Sequence, residues 1–354
     1  MGKKLRFTKS SKHKKENMIM NKKRMRPILA GEWKLIGQAP VELNDLPKIG
    51  QKPDPRPIEM VDHHIFQDDD GKWHLWGCVR NTPVGRVLYH WDADALTDSP
   101  WRCTKEVIRI DRSYGECENE GTSEQIQSPF IVKHDNKFYM FYGGVHAKID
   151  ENTEIEDSKS HLYASLHDCQ MCLMTSDDGK TWERHKNEKG QSRVFCGPGA
   201  TRDPSLIKID DLWYMYYTGF HTDPNSAGVY LRTSQNLLDW SEPKVVHYDE
   251  HFGHHHAMNE CPTVIKHDDL YYLFVTESYY KKRTHIWCST DPTDFGVDDY
   301  ADADTYDGND YYVGRIKVAA PEIITDTNGD EYITSNHDPA GGTLLTRLGW
   351  EDWE

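Results

Sequence analysis

Three acidic residues that are far apart in the 354-residue sequence lie at or just after the start of short apolar segments. Asp62 follows a valine, Asp203 lies in an Arg-Asp-Pro string, and Glu260 opens a Glu-Cys-Pro string. Hydrolysis of a glycosidic bond uses two carboxyl groups, one an acid with a raised pKa and the other an ionised base or nucleophile. A third carboxylate beside the acid can raise its pKa through repulsion of like charges. A fold that brought these residues together would supply all three groups.

The segments that carry these acids are copies of one repeated unit. Each copy is a short apolar strand, a turn rich in Asp, Asn and Gly, and a second strand rich in aromatic and β-branched residues, which together predict a β-hairpin. The third positions of successive copies lie 66, 75, 58 and 59 residues apart, an interval that fits a four-stranded propeller blade with long loops. We therefore predict an all-β fold, a single five-bladed β-propeller over residues 28–354, closed into a ring by residues 31–36. The five copies begin with residues 61–66, 127–132, 202–207, 260–265 and 319–324.

Charge divides the chain into a basic start and an acidic body. Residues 1–27 contain 11 Lys or Arg residues and one acid, although the whole chain has a net charge of -16. We predict a disordered tail over residues 1–27 and no binding of nucleic acid or anionic membranes by the acidic body. The lack of a long apolar segment and of a signal-peptide pattern leads us to expect a cytoplasmic protein.

The first two positions of the repeat differ from copy to copy, which a requirement of the fold alone would not produce. The copies read Val-Asp, Gln-Ser, Arg-Asp, Glu-Cys and Ala-Ala. Because the innermost strand of each blade lines the central channel, Asp62, Arg202, Asp203 and Glu260 are predicted to point toward one axis. Gathered carboxylates lose hydration and repel each other, so chemistry or a cation is the usual reason for such a cluster. The alternative is that they are solvated acids at strand ends.

These motifs resemble those of the five-bladed-propeller glycoside hydrolases, above all family 43, with features similar to family 32. The resemblance to family 43 implies that Asp62 is the general base, that Glu260 is the general acid, and that Asp203 orients Glu260 and tunes its pKa. The Arg-Asp-Pro and Glu-Cys-Pro strings are also forms of family 32. The Asn-Asp-Pro-Asn-Gly string of the family 32 nucleophile is absent, and His63 stands where family 43 usually has proline. These departures favour an inverting reaction and a less common relative within the superfamily.

The expected function is hydrolysis of a glycosidic bond in a small oligosaccharide or at a glycan chain end. Polar inserts at residues 81–123 and 145–168 are expected to build one mouth of the channel into a pocket. Three alternatives stay open: a retaining family 32-like fructosidase, a mannoside phosphorylase on the same fold, and a sugar-binding propeller without catalysis. A phosphorylase needs basic residues around the pocket, and the motifs place only Arg202 there.

Six polar residues at or beside the motifs are predicted to bind the carbohydrate substrate: Arg202, His63, Gln127, His256, Glu322 and His337. No cofactor is expected to be required. Some relatives hold a calcium ion or a water cluster on the central axis with a histidine of the fifth blade. The resemblance therefore allows a structural calcium ion, for which His337 is the candidate ligand.

Overall fold

The computed structural model describes residues 23–38, 41–46, 56–117, 124–145, 169–199, 201–220, 227–248, 259–297, 310–336 and 341–353. Nearly all regular structure in these ranges is β-strand, as predicted, with short 3₁₀ helices at Val41–Asp45 and Arg112–Tyr114. No helix in these ranges is long and apolar enough to cross a membrane. Residues 1–22 of the predicted tail lie outside the described residues, and the first strand begins at Met25.

Groups of strands follow one another along the chain and form the five blades. The N-terminal strands are β1 (Met25–Leu29) and β2 (Lys34–Gln38). Blade I contains β3 (Glu59–Gln67), β4 (Trp73–Thr82), β5 (Gly85–Ala93) and β6 (Arg102–Ile108). Blade II contains β7 (Glu124–His134), β8 (Lys137–Val145), β9 (Cys169–Ser176), β10 (Glu183–Arg184) and β11 (Arg193–Cys196).

The later blades repeat this arrangement. Blade III contains β12 (Arg202–Ile209), β13 (Leu212–Phe220), β14 (Ala227–Ser234) and β15 (Lys244–His247). Blade IV contains β16 (Glu260–His267), β17 (Leu270–Ser278), β18 (Arg283–Ser289) and β19 (Tyr312–Ile316). Blade V contains β20 (Ile323–Thr325), β21 (Glu331–Ser335) and β22 (Gly342–Asp352).

Consecutive strands within a blade pair antiparallel, except that β10 and β11 both pair with β9. Short turns that contain Asp, Asn or Gly join the first two strands of each blade. A short parallel pairing of β5 with β7 joins blades I and II into one sheet. Residues 81–123, which we expected to be a polar insert, contain β5 and β6, so much of that segment is the outer half of blade I. In the second expected insert, residues 146–168 lie outside the described residues.

The hydrophobic core lies between neighbouring blades. Trp287 of β18 packs with Tyr216 of β13 in a cluster that joins blades III and IV. Trp76 of β4 and Tyr142 of β8 share a similar cluster between blades I and II. All four side chains are buried, and each large side chain removed from water contributes roughly 1.5 to 3 kcal/mol. This packing makes a rigid frame for the inner strands.

The last blade is completed by the start of the chain. Both β1 and β2 pair antiparallel with β22, and β2 overlaps the predicted closing segment. Asn336, beside β21, then donates from Nδ2 to the carbonyl of Val61 in β3 at 3.0 Å. His63 Nε2 lies 2.8 Å from Thr334 Oγ1. The first and last blades are therefore in direct contact through buried hydrogen bonds.

Replacing Asn336 with alanine should weaken this contact. Asn336 is fully buried, and its Oδ1 also accepts a bond from Thr343 Oγ1 at 2.7 Å. Loss of these partners leaves buried polar groups unsatisfied, so we expect the free energy of unfolding to fall by about 2 to 4 kcal/mol. Urea unfolding measures it, with Asn328→Ala in the exposed β20–β21 turn as the matched control. Equal effects of the two substitutions would contradict this account of the blade contact.

Candidate active site

Backbone bulges shape the start of the innermost strands. In β7, β12 and β16 the pairing register shifts at the first motif residues. Within these bulges, Ser128, Asp203 and Cys261 have φ angles of 52°, 58° and 50°, in the left-handed region that non-glycine residues rarely adopt. Such a conformation costs on the order of 1 to 3 kcal/mol, and bulges re-aim side chains beside binding sites. The strained residues are those whose side chains meet at the channel.

Four blades contribute to one buried cluster around Asp62. Ser128 Oγ lies 3.0 Å from Asp62 Oδ2 and 2.7 Å from Asp203 Oδ1. The Sγ of Cys261 lies 3.3 Å from Asp62 Oδ1. All four side chains are buried. The bulges therefore place the second motif residues of blades I to IV in mutual contact, as the repeat analysis predicted for Asp62 and Asp203.

Among the described residues, Asp203 has more hydrogen-bond donors around its side chain than Asp62 has. Its Oδ2 accepts bonds from Thr218 Oγ1 at 2.8 Å and from the backbone N–H of Cys261 at 3.2 Å. The Nε of Arg202 lies 3.5 Å from the same oxygen. These donors replace the water that a buried carboxylate loses.

Arg202 connects Asp203 to the third acid. Its buried guanidinium forms an ion pair with the carboxylate of Glu260. Gly143 of β8 permits this packing, because a Cβ there would lie 3.1 Å from the Cβ of Arg202 and 3.2 Å from the Cγ of Gln127. The positively charged guanidinium of Arg202 thus lies beside both Glu260 and Asp203.

The pKa of Asp62 is raised to about 6, first because burial removes its hydration and second because Asp203 is negatively charged. Arg86 of β5 opposes the rise with its positive charge, and the hydrogen bonds that Cys261 and Ser128 donate to the charged form of Asp62 act in the same direction as Arg86. A carboxyl group with this pKa changes its charge close to neutral pH, where acid and base catalysis are effective.

Sequence reasoning missed three residues of this site. Arg86 donates to the side-chain oxygen of Gln127, and Tyr279 OH lies 2.7 Å from Cys261 Sγ. Ser128 was visible in the repeat but was not selected. Arg86 falls in the segment expected to be a loop, although the β-branched and aromatic residues of 85–93 could have indicated a strand. For Tyr279 we find no signal in the sequence.

The predicted substrate-binding residues separate into three groups. Arg202 and Gln127 lie beside the carboxylate cluster, as just described. His63 uses both ring nitrogens in blade contacts, with Thr334 and, at 2.9 Å, with Asn336 Nδ2, and burial lowers its pKa to about 4. Glu322 contacts His64 Nδ1 at 2.7 Å and accepts from the N–H of Ile65 at 3.1 Å. His256 and His337 lie outside the described residues, and substrate binding by all six stays a prediction.

A small cavity of about 30 Å³ opens beside the cluster. Asp62, Asp203 and Cys261 line it, together with the motif prolines Pro129, Pro204, Pro262 and Pro321. One water molecule needs about 10 to 15 Å³ of such space, so the cavity has the size of one or two water molecules. The two aspartates therefore face a space that can hold water.

The cluster also contains side chains of the types that bind metal ions. Ligand atoms of Asp62, Asp203 and Cys261 lie within 4.8 Å of one another. Their oxygens already accept bonds from Ser128 and Thr218, so the arrangement is satisfied without a cation. A calcium ion takes 6 to 8 oxygen ligands, and Glu322, which lines the channel, has both oxygens engaged. The predicted axial calcium ion depends on His337, outside the described residues.

The sequence model of "Glycosyl hydrolases family 43" matches residues 113–296. Two curated proteins of Thermoanaerobacter sp. (strain X514) share shorter segments with this chain. A β-1,2-mannobiose phosphorylase is 27% identical over 130 residues, which are 36% of this chain and 41% of that protein. A 1,2-β-oligomannan phosphorylase is 44% identical over 45 residues, which are 12% of this chain and 15% of that protein. The chain thus matches less than half the length of either relative.

Solved structures share the fold over most of the chain. A GH43_1 enzyme from Xanthomonas citri has a TM-score of 0.55 at 13% identity, covering 86% of this chain and 91% of the enzyme. The GH32 β-fructofuranosidase of Bombyx mori has a TM-score of 0.57 at 16% identity, covering 98% and 70%. The five-bladed propeller and the resemblance to families 43 and 32 are confirmed. This chain belongs to glycosyl hydrolase family 43, because the sequence model of that family matches more than half of the residues of the chain.

Proposed function

We propose that the chain hydrolyses a glycosidic bond in the pocket formed by the starts of the inner strands. Asp62 would activate the attacking water as general base, and Glu260 would protonate the leaving oxygen as general acid. The observation that carries this proposal is that Asp62, Asp203 and Glu260 belong to one network of contacts, in which Asp62 and Asp203 line a small cavity of about 30 Å³. Isolated strand-end acids would have no such contacts.

The charge environment supports Asp62 as the base. A base must be ionised when water attacks, and its strength increases with its pKa as long as it stays ionised. With a pKa of about 6, Asp62 is mostly ionised at pH 7 and is a stronger base than an ordinary aspartate. Attack by water on the face opposite the leaving group would invert the configuration of the sugar.

The carboxyl group of Glu260 contacts the guanidinium of Arg202. A general acid must reach the leaving oxygen, so this contact belongs to the protein without substrate. A bound sugar that took over the donors of Arg202 would free the carboxyl group of Glu260 for proton transfer. Arg202 then contacts the substrate, which agrees with its expected binding role.

Action on a small oligosaccharide or on one end of a chain stays a prediction. The cavity of about 30 Å³ beside the aspartates has room for water but not for a sugar unit. Residues 146–168, in one of the two inserts expected to build the pocket, lie outside the described residues.

Phosphorolysis is the second candidate, in which phosphate replaces water. The two curated relatives are named as mannoside phosphorylases, and Arg86 adds a second guanidinium whose charge acts on Asp62. An anion near Arg86 and Arg202 would be electrostatically favoured. The two candidates differ in what attacks the sugar, so phosphate dependence separates them.

Replacing Glu260 with glutamine should reduce turnover of an unactivated disaccharide by at least about 100-fold, because the leaving oxygen loses its proton donor. Turnover of an aryl glycoside with a good leaving group should fall less in this variant. The Asp62→Asn variant should lose activity on both substrates. Glu188→Gln, a matched change at an exposed position, is the control.

Each rate should be measured with and without inorganic phosphate. Free sugar produced equally under both conditions supports hydrolysis, and a sugar 1-phosphate formed only with phosphate assigns the chain as a phosphorylase. Unchanged turnover of the disaccharide by Glu260→Gln would refute the role of Glu260.

The pH dependence of kcat/KM tests the role of Asp62. If Asp62 is the base, its protonation stops catalysis, so kcat/KM should fall tenfold per pH unit below about pH 6. The opposite assignment, with Asp62 as the acid, requires its proton and predicts a fall above about pH 6. Steady-state rates across this range distinguish the two, and an alkaline limb near pH 6 in place of the acid limb would reverse the roles.

A further inference from the structure

One hydroxyl group stands between two carboxyl groups in the buried cluster. Ser128 Oγ is within hydrogen-bond distance of Asp62 Oδ2, at 3.0 Å, and of Asp203 Oδ1, at 2.7 Å. A serine hydroxyl has one hydrogen to donate and can also accept. Two ionised carboxylates cannot both receive that hydrogen. If both contacts are hydrogen bonds, one of the carboxyl groups must be a donor and therefore protonated.

The surroundings indicate which carboxyl group holds the proton. Asp203 already accepts from Thr218 and from the N–H of Cys261, and Arg202 lies beside it. These contacts stabilise a carboxylate. Among the described residues, the other hydrogen-bond contact of the Asp62 side chain is the thiol of Cys261 at 3.3 Å, which is a weak donor. The proton is therefore better placed on Asp62.

We propose that Ser128 is a positioning residue through which Asp62 and Asp203 share one proton. When the pair holds one proton, Asp62 Oδ2–H donates to Ser128 Oγ, and the Ser128 hydroxyl donates to Asp203 Oδ1. Asp203 thereby acts on the base Asp62 through Ser128, a different role from the tuning of Glu260 that the family resemblance implied. This inference rests on the proposed function of Asp62.

A proton shared by Asp62 and Asp203 is consistent with the proposed reaction. Before attack, Asp62 releases its proton to solvent and both aspartates are charged. As water attacks the sugar, a bond forms between the water oxygen and the anomeric carbon while the glycosidic bond breaks. One water proton moves to Asp62, and Glu260 gives its proton to the leaving oxygen. The proton on Asp62 forms the chain of two hydrogen bonds through Ser128. Its later release to solvent, and uptake of a proton from solvent by Glu260, prepare the site for the next turnover.

Loss of the hydroxyl should stabilise the charged form of Asp62 relative to its neutral form. When Asp62 is neutral, Ser128 takes part in two hydrogen bonds, one with each aspartate. When both aspartates are charged, Ser128 can donate only one. Removing the hydroxyl therefore costs the neutral form of Asp62 one hydrogen bond more than the charged form. The acid limb of kcat/KM should therefore move to lower pH by about 0.5 to 1 unit. The charged or titratable groups that act on Asp62, or whose own pKa responds to it, remain in place: Asp203, Arg86, Arg80, Cys78, Cys261 and Tyr279.

Ser128→Ala and Ser128→Gly make this change in two ways. Alanine keeps the strained φ of 52°, whereas glycine adopts it without strain, so the glycine variant should fold even if the alanine variant does not. Ser205→Ala is the matched control: its buried hydroxyl accepts from the backbone N–H of Val264 at 3.2 Å and touches neither aspartate. The control should leave the acid limb in place.

A shift to higher pH in both variants would mean that Ser128 simply donates to ionised Asp62, and no shift would mean that no proton is shared. Either result overturns the proposal. If the wild-type protein shows no turnover, the proposed function fails, but infrared difference spectra of the protonated carboxyl group still test the sharing. The titration assigned to Asp62 by comparison with Asp62→Asn should then move to lower pH in the Ser128 variants, and an unmoved titration contradicts the proposal.

Discussion

Repulsion between two buried carboxyl groups is the constraint to which the site is adapted. Oxygens of Asp62 and Asp203 lie within 4.8 Å of each other in a region from which water is largely excluded. Placing two charges there is costly unless donors or protons compensate them. Hydrogen-bond donors and Arg202 surround Asp203, whereas Asp62 has a raised pKa. The chemical difference between the two aspartates arises from this unequal support.

The propeller is suited to holding such a cluster because each acid comes from a different blade. Bringing them together requires left-handed backbone at Ser128, Asp203 and Cys261, and the cost is offset by the packing between blades. Buried contacts such as those of Asn336 and His63 fix blade V against blade I. Loosening any of blades I to IV would move one part of the cluster relative to the others, so the packing of the blades and the geometry of the site are linked.

Much of this fold could be predicted from the sequence, because apolar alternation and turn residues are local signals. The five hairpins and the convergence of Asp62 with Asp203 follow from them. Arg86 could not be placed without recognising β5, which lies in a segment that we expected to be a loop. His63 contacts Thr334 from 271 positions away. No local pattern reports a contact of that kind, so its part in joining blades was not foreseen.

The central claim is that Asp62 acts on water and not on the sugar itself, and the anomer of the first product tests it most directly. Proton NMR can follow the earliest product of the best substrate found in a panel of glycosides, before mutarotation. The account predicts that this product has the opposite anomeric configuration to the substrate. A first product with retained configuration would contradict it, because it would mean that a carboxylate attacks the sugar directly.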